Sequence, residues 1–319
     1  MASNFPVNFF VPSPLLSAIV INYKNGLLIA DQVAPRVQVP LPNFSYALFN
    51  KSDFFTIPDT RASRTGLVNQ VSWSSTAQTA AVEEHALEEL VPRIDQAVAA
   101  AYGAYMPDPK NIAAEQVVSL MDLAHEARTA NLIFGPGSYG PANKTTLTGQ
   151  AQWSDYTNSD PLGALANQVQ AMTFNSVQPN TMILGQVVWN VLRRHPKLVY
   201  SAYGYTGGFA VTEEYVASAL GLDRIIVGTS KANLAKLGQN TNWQPIWGKS
   251  AALVYQTPTT LSTNTATFAI TAEWGSRVAS EHFDIDRGPR GSDVVRVGEA
   301  HKELILAPDY GYLFQNVIA

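Results

Sequence analysis

The chain contains no cysteine. That absence excludes disulfides, thiolate metal sites and a cysteine nucleophile. Charge is scarce too: Asp, Glu, Lys and Arg make up 14% of 319 residues, against about 25% in a typical soluble domain. A monomer relies on those charges at its surface. A subunit that hides surface against other chains does not, because interface cores are depleted in charge. No basic block exceeds the pair Arg193-Arg194, and the net charge is −4. Strong nucleic-acid binding by a basic face is therefore not expected, since phosphate contacts need a patch that releases several counterions. No apolar run approaches the roughly 18 residues needed to span a bilayer. The start, Met1-Ala-Ser-Asn-Phe, lacks a basic segment followed by an apolar core, so no secretory signal and no membrane partner are expected.

What the chain does have is an early stretch that cannot complete its own core. From Gln70 to Gln78, Val71, Trp73, Ser75 and Ala77 alternate with polar residues, the period of a half-buried strand. Phe44 to Lys51 reads as its partner, and Ile57 to Gly66 as an open connection. A two-stranded hairpin alone is marginal in water, and no helical pattern adjoins it to cover its apolar face. Residues 1–42 hold six prolines and read as an extended arm. An arm and hairpin of this length imply a subunit that borrows its core from neighbours.

Val82 to Pro92 reads as a short acidic turn of helix ending near Pro92. Asp108-Pro109 supplies an N-cap and a first-turn proline, and the helix it starts runs to about Phe134. Ile112, Val117, Leu120, Met121, Ala124 and Ala127 form its apolar stripe. At 1.5 Å per residue its 25 or so residues span roughly 37 Å, which makes it a spine. A flexible stretch follows from Gly135, and Asp160-Pro161 caps another helix. From Pro179 the pattern alternates. Strands are expected at 181–186, 224–228, 250–256 and 267–274, and helices at 187–195 (stopped by Pro196) and 212–220. Short strands close the chain at 293–297, 303–307 and 312–318.

Several of these segments, in order, resemble the major capsid proteins of tailed bacteriophages, the Hong Kong 97-type fold shared with encapsulin shells. Ile29-Ala-Asp-Gln-Val-Ala-Pro35 is similar to that family's N-arm. Glu83 to Pro92 is similar to the acidic run closing its extended loop. Ile183 to Pro196 is similar to its strand and helix ending in His-Pro, and Val211 to Asp223 with Ile225 to Gly228 to its next helix and strand. Ile246-Trp-Gly248 precedes a strand there too, and Pro308 to Val317 is similar to its last strand pair. The resemblance implies an α+β fold: N-terminal arm (1–43), extended loop (44–82), discontinuous peripheral domain with the spine helix (83–175 and 291–319) and axial domain (176–290). It implies a non-enzymatic subunit of hexamers and pentamers in an icosahedral shell around double-stranded DNA. Such a shell is assembled in the host bacterial cytoplasm, with the virion as final location. Expected partners are copies of itself, a portal, a scaffold and decoration proteins. An encapsulin-like cargo shell and a small α/β enzyme on residues 176–290 are the alternatives.

The candidate chemistry is thin, and no cofactor or metal is expected. Gly135-Pro-Gly-Ser-Tyr-Gly140 matches G-x-G-x-x-G as text, but follows a helix where the dinucleotide fingerprint must follow a strand. His85, His125, His195, His282 and His301 show no metal spacing and read as structural or surface residues, with His125 and Glu126 a solvated pair. No Ser/His/Asp set can be grouped. Lys51 is the lysine the extended loop offers for the intersubunit cross-link some of the family form, and it reads as a solvated charge. The intersubunit candidates are Arg61 and Arg64 at the hairpin tip, Trp73 on its apolar face, and Glu83, Glu84, Glu88 and Glu89 at its base.

Overall fold

The computed structural model describes residues 12–22, 27–49, 57–62, 68–71, 75–103, 106–205, 207, 209–236, 238–257 and 267–319. In chain order these give α1 (Pro14–Asn22), α2 (Ala30–Val33), β1 (Arg36–Gln38), β2 (Asn43–Phe49), β3 (Ser75–Ala81), β4 (Glu83–Pro92), α3 (Arg93–Tyr102) and α4 (Pro109–Ile133). Then come β5 (Lys144–Thr146), α5 (Pro161–Asn175), β6 (Thr181–Gly185), α6 (Gln186–Leu192), α7 (Pro196–Tyr203), α8 (Glu213–Leu220) and β7 (Arg224–Gly228). The rest is β8 (Lys231–Asn233), β9 (Trp243–Pro245), β10 (Ala251–Val254), β11 (Ala269–Asp284), β12 (Ser292–Ile305) and β13 (Gly311–Gln315).

One sheet runs β1-β11-β12-β4 and carries the spine. Helix α4 begins as expected: the Asp108 side chain accepts from the Lys110 amide, and Pro109 occupies the first turn. Val117, Val118 and Met121 press against Val295, Val297 and Ala279 of the sheet, with Leu16 and Val20 of α1 completing the cluster. The second sheet runs β5-β13-β10-β6-β7. All five residues of β6 are buried, which is why its sequence is a continuous apolar run. Helices α5 to α8 cover one face through Leu165, Leu192, Leu198 and Val216. On the other face Ile29 and Val33 of the arm meet Ile133 at the spine's end, Trp247 and Phe268.

Backbone approach is tightest around Trp247. A Cβ on Gly185 would lie 1.7 Å from the Trp247 carbonyl oxygen, and one on Gly228 would lie 2.1 Å from its indole. Both glycines end parallel-paired strands, β6 and β7. Their bare backbone leaves room for the Trp247 carbonyl at Gly185 and for its indole at Gly228.

The structure corrects several expectations. Residues 83–92 form a ten-residue strand, not a helical turn, paired antiparallel along β12 from Glu83↔His301 to Pro92↔Ser292. Glu, Leu and Ala favour helix only weakly, and the ladder with its cross-strand partners overrides that preference. The hairpin strand is Ser75–Ala81, in register Asn43↔Ala81 to Phe49↔Ser75, rather than 70–78; Val71 lies outside it, 56% exposed. Alternation locates a strand but not its register, and here the pairing is pinned at the base, where the Val82 amide donates to the Pro42 carbonyl at 2.9 Å.

The spine's buried face is also turned from the expected stripe. Leu120 is 59% exposed, whereas His125 and Glu126 are 2% and 0% exposed. The expected solvated pair is therefore interior. Pro196 does not simply end a helix but opens α7, with His195 as its cap. The two strands expected at 293–297 and 303–307 are parts of one, β12. The Gly135–Gly140 string forms a 3-10 turn at Pro136–Ser138, immediately after the spine. Four strands cross the expected domain divisions: β1 of the arm and β11 belong to the spine's sheet, and β5 and β13 to the sheet of β6 and β10.

Candidate assembly surfaces and the arm-docking junction

The arm's strongest tie to the spine is one carboxylate. Glu126 sits where α4 passes under α2, and it accepts from the Ile29 amide at 3.0 Å and the Ala30 amide at 2.7 Å. Ser230 Oγ donates to it at 2.9 Å and Trp247 Nε1 at 2.5 Å. Four donors fill the acceptor capacity of a carboxylate. They come from the arm, the turn after β7 and the segment before β10, so this residue ties three distant stretches of chain. Gln256 adds a further tie, its side-chain amide donating to the Val33 carbonyl at 2.5 Å.

Beside it lies a network of charges between α4, the arm and the first sheet. Arg36 reaches Asp31 at 2.9 Å, Glu299 at 3.2 Å and Glu273 at 3.4 Å. Arg277 bridges Asp122 at 2.5 Å and Glu299 at 2.9 Å. Burial alone would raise the carboxyl of Glu299, but Arg277 and Arg36 hold it below its ordinary range. Arg128 donates to Glu303 at 3.0 Å and to His301 Nε2 at 2.7 Å. The imidazoles of His85, His301 and His125 lie in a row, the first pair tilted and the second edge to face, with centroids 4.6 Å and 5.0 Å apart. Sequence reading missed this junction, because His125 and Arg128 of the spine are separated by more than 170 positions from His301 and Glu303, and only the sheet brings them together.

His125, His301 and Glu303 place ligand-type atoms within 4.8 Å of one another. The Arg128 guanidinium donates to two of the three. A fixed positive charge already stands among those atoms, and a second cation beside it would be repelled. His195 has a structural role too. Its Nδ1 accepts from the Lys197 amide at 3.3 Å, leaving Nε2 to donate to Ser159 Oγ at 3.0 Å. It therefore presents no base to that serine.

The intersubunit candidates fall into three groups. Arg64 and Trp73, like Lys51, lie outside the described residues. Arg61 is exposed, with its amide donating to Asp59 at 3.0 Å. Of the four glutamates, two have partners in the chain itself: Glu83 pairs with Lys302, and Glu88 with Arg296 at 2.7 Å. Glu84 is exposed and Glu89 half-buried. The hairpin β2–β3 is a sheet of two strands with no third among the described residues. Phe44 and Tyr46 are half-buried on one of its faces, ring centroids 6.3 Å apart. A second uncovered apolar surface runs along α3, where Ile94, Val98 and Tyr102 are 56%, 42% and 64% exposed.

No family model matches the chain. It is 38% identical over 318 residues to the major capsid protein of Pseudomonas phage JBD67, covering 99% of both chains. Among solved structures, a phage-related protein from Bordetella bronchiseptica superposes with a TM-score of 0.75 at 21% identity, over 97% of this chain and 98% of that one. The capsid protein of cyanophage P-SCSP1u superposes with a TM-score of 0.61 at 10% identity, over 99% and 91%. With a spine helix, a two-stranded hairpin and full-length identity of this order, the chain belongs to the bacteriophage major capsid proteins of the Hong Kong 97-type fold.

Proposed function

We propose that this capsid subunit assembles into hexamers and pentamers of an icosahedral shell enclosing double-stranded DNA, and that the hairpin is the element by which one copy holds the next. The observation that carries this reading is the hairpin itself. Two strands with a half-buried aromatic face and no third strand among the described residues are not self-sufficient in water. A second copy of the chain supplies what is missing. The low charge content supports the same reading.

The functional divisions follow: residues 1–43 are an arm, 44–82 an extended loop, 83–175 with 291–319 a peripheral region and 176–290 an axial one, with β11 contributed to the peripheral sheet and β5 and β13 to the axial one. In the latch, Arg61, Arg64 and Trp73 of one subunit face the next. Glu84 and Glu89 are the favoured acidic counterparts, since Glu83 and Glu88 are partnered within the chain. The subunit catalyses no reaction. It is assembled in the host bacterial cytoplasm, with portal, scaffold and decoration proteins as further partners.

Electron microscopy and native mass measurement of the purified chain test the reading: closed shells or capsomers are expected. A monodisperse monomer under all assembly conditions overturns it. The inner wall should hold DNA weakly, given a net charge of −4 and the counterion release that tight binding needs. A shift of duplex DNA by purified subunit at physiological salt contradicts that part.

A further inference from the structure

We infer that His125 is a proton-operated latch that holds the arm against the spine helix and lets it go as pH rises. The ring lies between two carboxylates. Its Nδ1 is 2.7 Å from Glu303 Oε1 on β12, and its Nε2 is 3.4 Å from Asp31 Oδ1 on the arm. A neutral imidazole carries one N–H. When the ring is neutral and that hydrogen stays on the short contact to Glu303, a lone pair faces the arm's carboxylate. Only the imidazolium is attracted to both carboxylates, hydrogen-bonding Glu303 and facing Asp31 across an ion-pair distance with Nε2 otherwise unpartnered among the described residues. The ring is 2% exposed, so water does not reach the ring nitrogen that faces Asp31.

The surrounding charged side chains have partners of their own, although His301 Nδ1 and Glu299 Oε1, 3.5 Å apart, make no hydrogen bond among the described residues. On the arm, Arg36 binds Asp31, Glu273 of β11 and Glu299 of β12. On the spine, Asp122 is held by Arg277 of β11, Arg128 by Glu303 and His301, and Glu126 by its four donors. From β12, His301 uses Nε2 to accept from Arg128. From β4, His85 is pushed below the usual imidazole range by burial and by Arg128. Burial would lower His125 as well, but the facing carboxylates of Asp31 and Glu303 outweigh burial and Arg36 and raise it above its ordinary range. A raised value means that docking is fully supported below the ordinary imidazole range and is lost as pH climbs through the raised one.

Amide hydrogen exchange on the purified full-length chain, corrected for the intrinsic pH dependence of exchange, reads arm opening directly in peptides covering Ile29–Gln38. Protection there should fall between about pH 5.5 and about pH 9, about tenfold for each pKa unit separating docked and released rings. Peptides covering β6 should not change. His125→Gln cannot take on charge, and its arm protection should be flat across that range. Should that variant misfold, Asp31→Asn keeps a side chain that is 63% exposed and should lose most of the pH response. Equal wild-type protection at both ends overturns the latch. So does a full response retained in Asp31→Asn, or a response abolished by a chelator, which would make a bound metal ion the switch.

Discussion

The arm–spine junction and the hairpin lie close in sequence and are opposites in construction. At the junction, a fully buried glutamate has four donors and each arginine has at least two acceptors. In the hairpin, two strands pair with each other alone, and Ala77, Gln78 and Thr79 of β3 are exposed. The first region is held largely by its own chain, with His125 Nε2, His301 Nδ1 and Glu299 Oε1 left without hydrogen-bond partners among the described residues. The second offers edges and a face that nothing else in the described chain covers. Buried polar groups are tolerated only when satisfied, so a dense network marks contacts that exist in every subunit. On the proposed reading, an unsupported two-stranded sheet marks contacts made between subunits. Stability of the single subunit and stability of the assembly should therefore respond to different residues.

Glu126→Ala gives the largest expected loss. It strands the Ile29 and Ala30 amides, Trp247 Nε1 and Ser230 Oγ in a site without solvent. Each abandoned buried donor costs about 1–3 kcal/mol, so the subunit should lose at least about 3 kcal/mol. That corresponds to a melting temperature lower by roughly 6–12 °C at about 2–4 °C per kcal/mol. Thermal melts of unassembled subunit check this. A drop of only a degree or so would mean the junction is not the finished interior described here.

Gly228→Ala should cost less, about 1–3 kcal/mol, the usual range for forcing extra atoms into a packed interior. The added methyl would meet the Trp247 indole at 2.1 Å, and the ring must move with its hydrogen bond to Glu126. Tryptophan fluorescence and a melt of the same protein read both consequences. An unchanged melt with unshifted emission would show that the indole has room to retreat.

The two regions also differ in how far sequence alone reveals them. The spine was legible because its cap, Asp108 with Pro109, and its length are local signals. The β6 and β7 strands and helix α8, with Thr212 and Gly221 at its ends, were legible for the same reason. The existence of the hairpin was readable from alternation; its register was not, because pairing is fixed by the Pro42–Val82 contact at the base. Residues 83–92 misled because their helix-favouring composition is overruled by a partner strand some two hundred positions away. His125 and Glu126 misled most. Charged neighbours on a helix are normally solvated, and no local signal announces that the arm and β12 will close over them.

The smallest expected effect on the lone subunit, and the sharpest contrast with Glu126, belongs to the hairpin. Trp73→Ala, and charge reversal of Arg61 together with Arg64, should leave the subunit melt within about a degree, as surface changes usually stay within ±0.5 kcal/mol. Shell yield should fall in both. For the arginine variant the loss should be greater at low salt, because exposed charges are screened over about 8 Å at physiological ionic strength and over less when salt is added. Burying a tryptophan against a neighbour contributes about 2–3 kcal/mol per contact from apolar area, repeated at every copy, so the Trp73 deficit should persist at high salt. Melts of unassembled subunit and shell yields across a salt series separate the two contributions. If Trp73→Ala lowers the subunit melt by several degrees and leaves shell yield unchanged, the hairpin belongs to its own subunit's core, and the contrast between the two regions collapses.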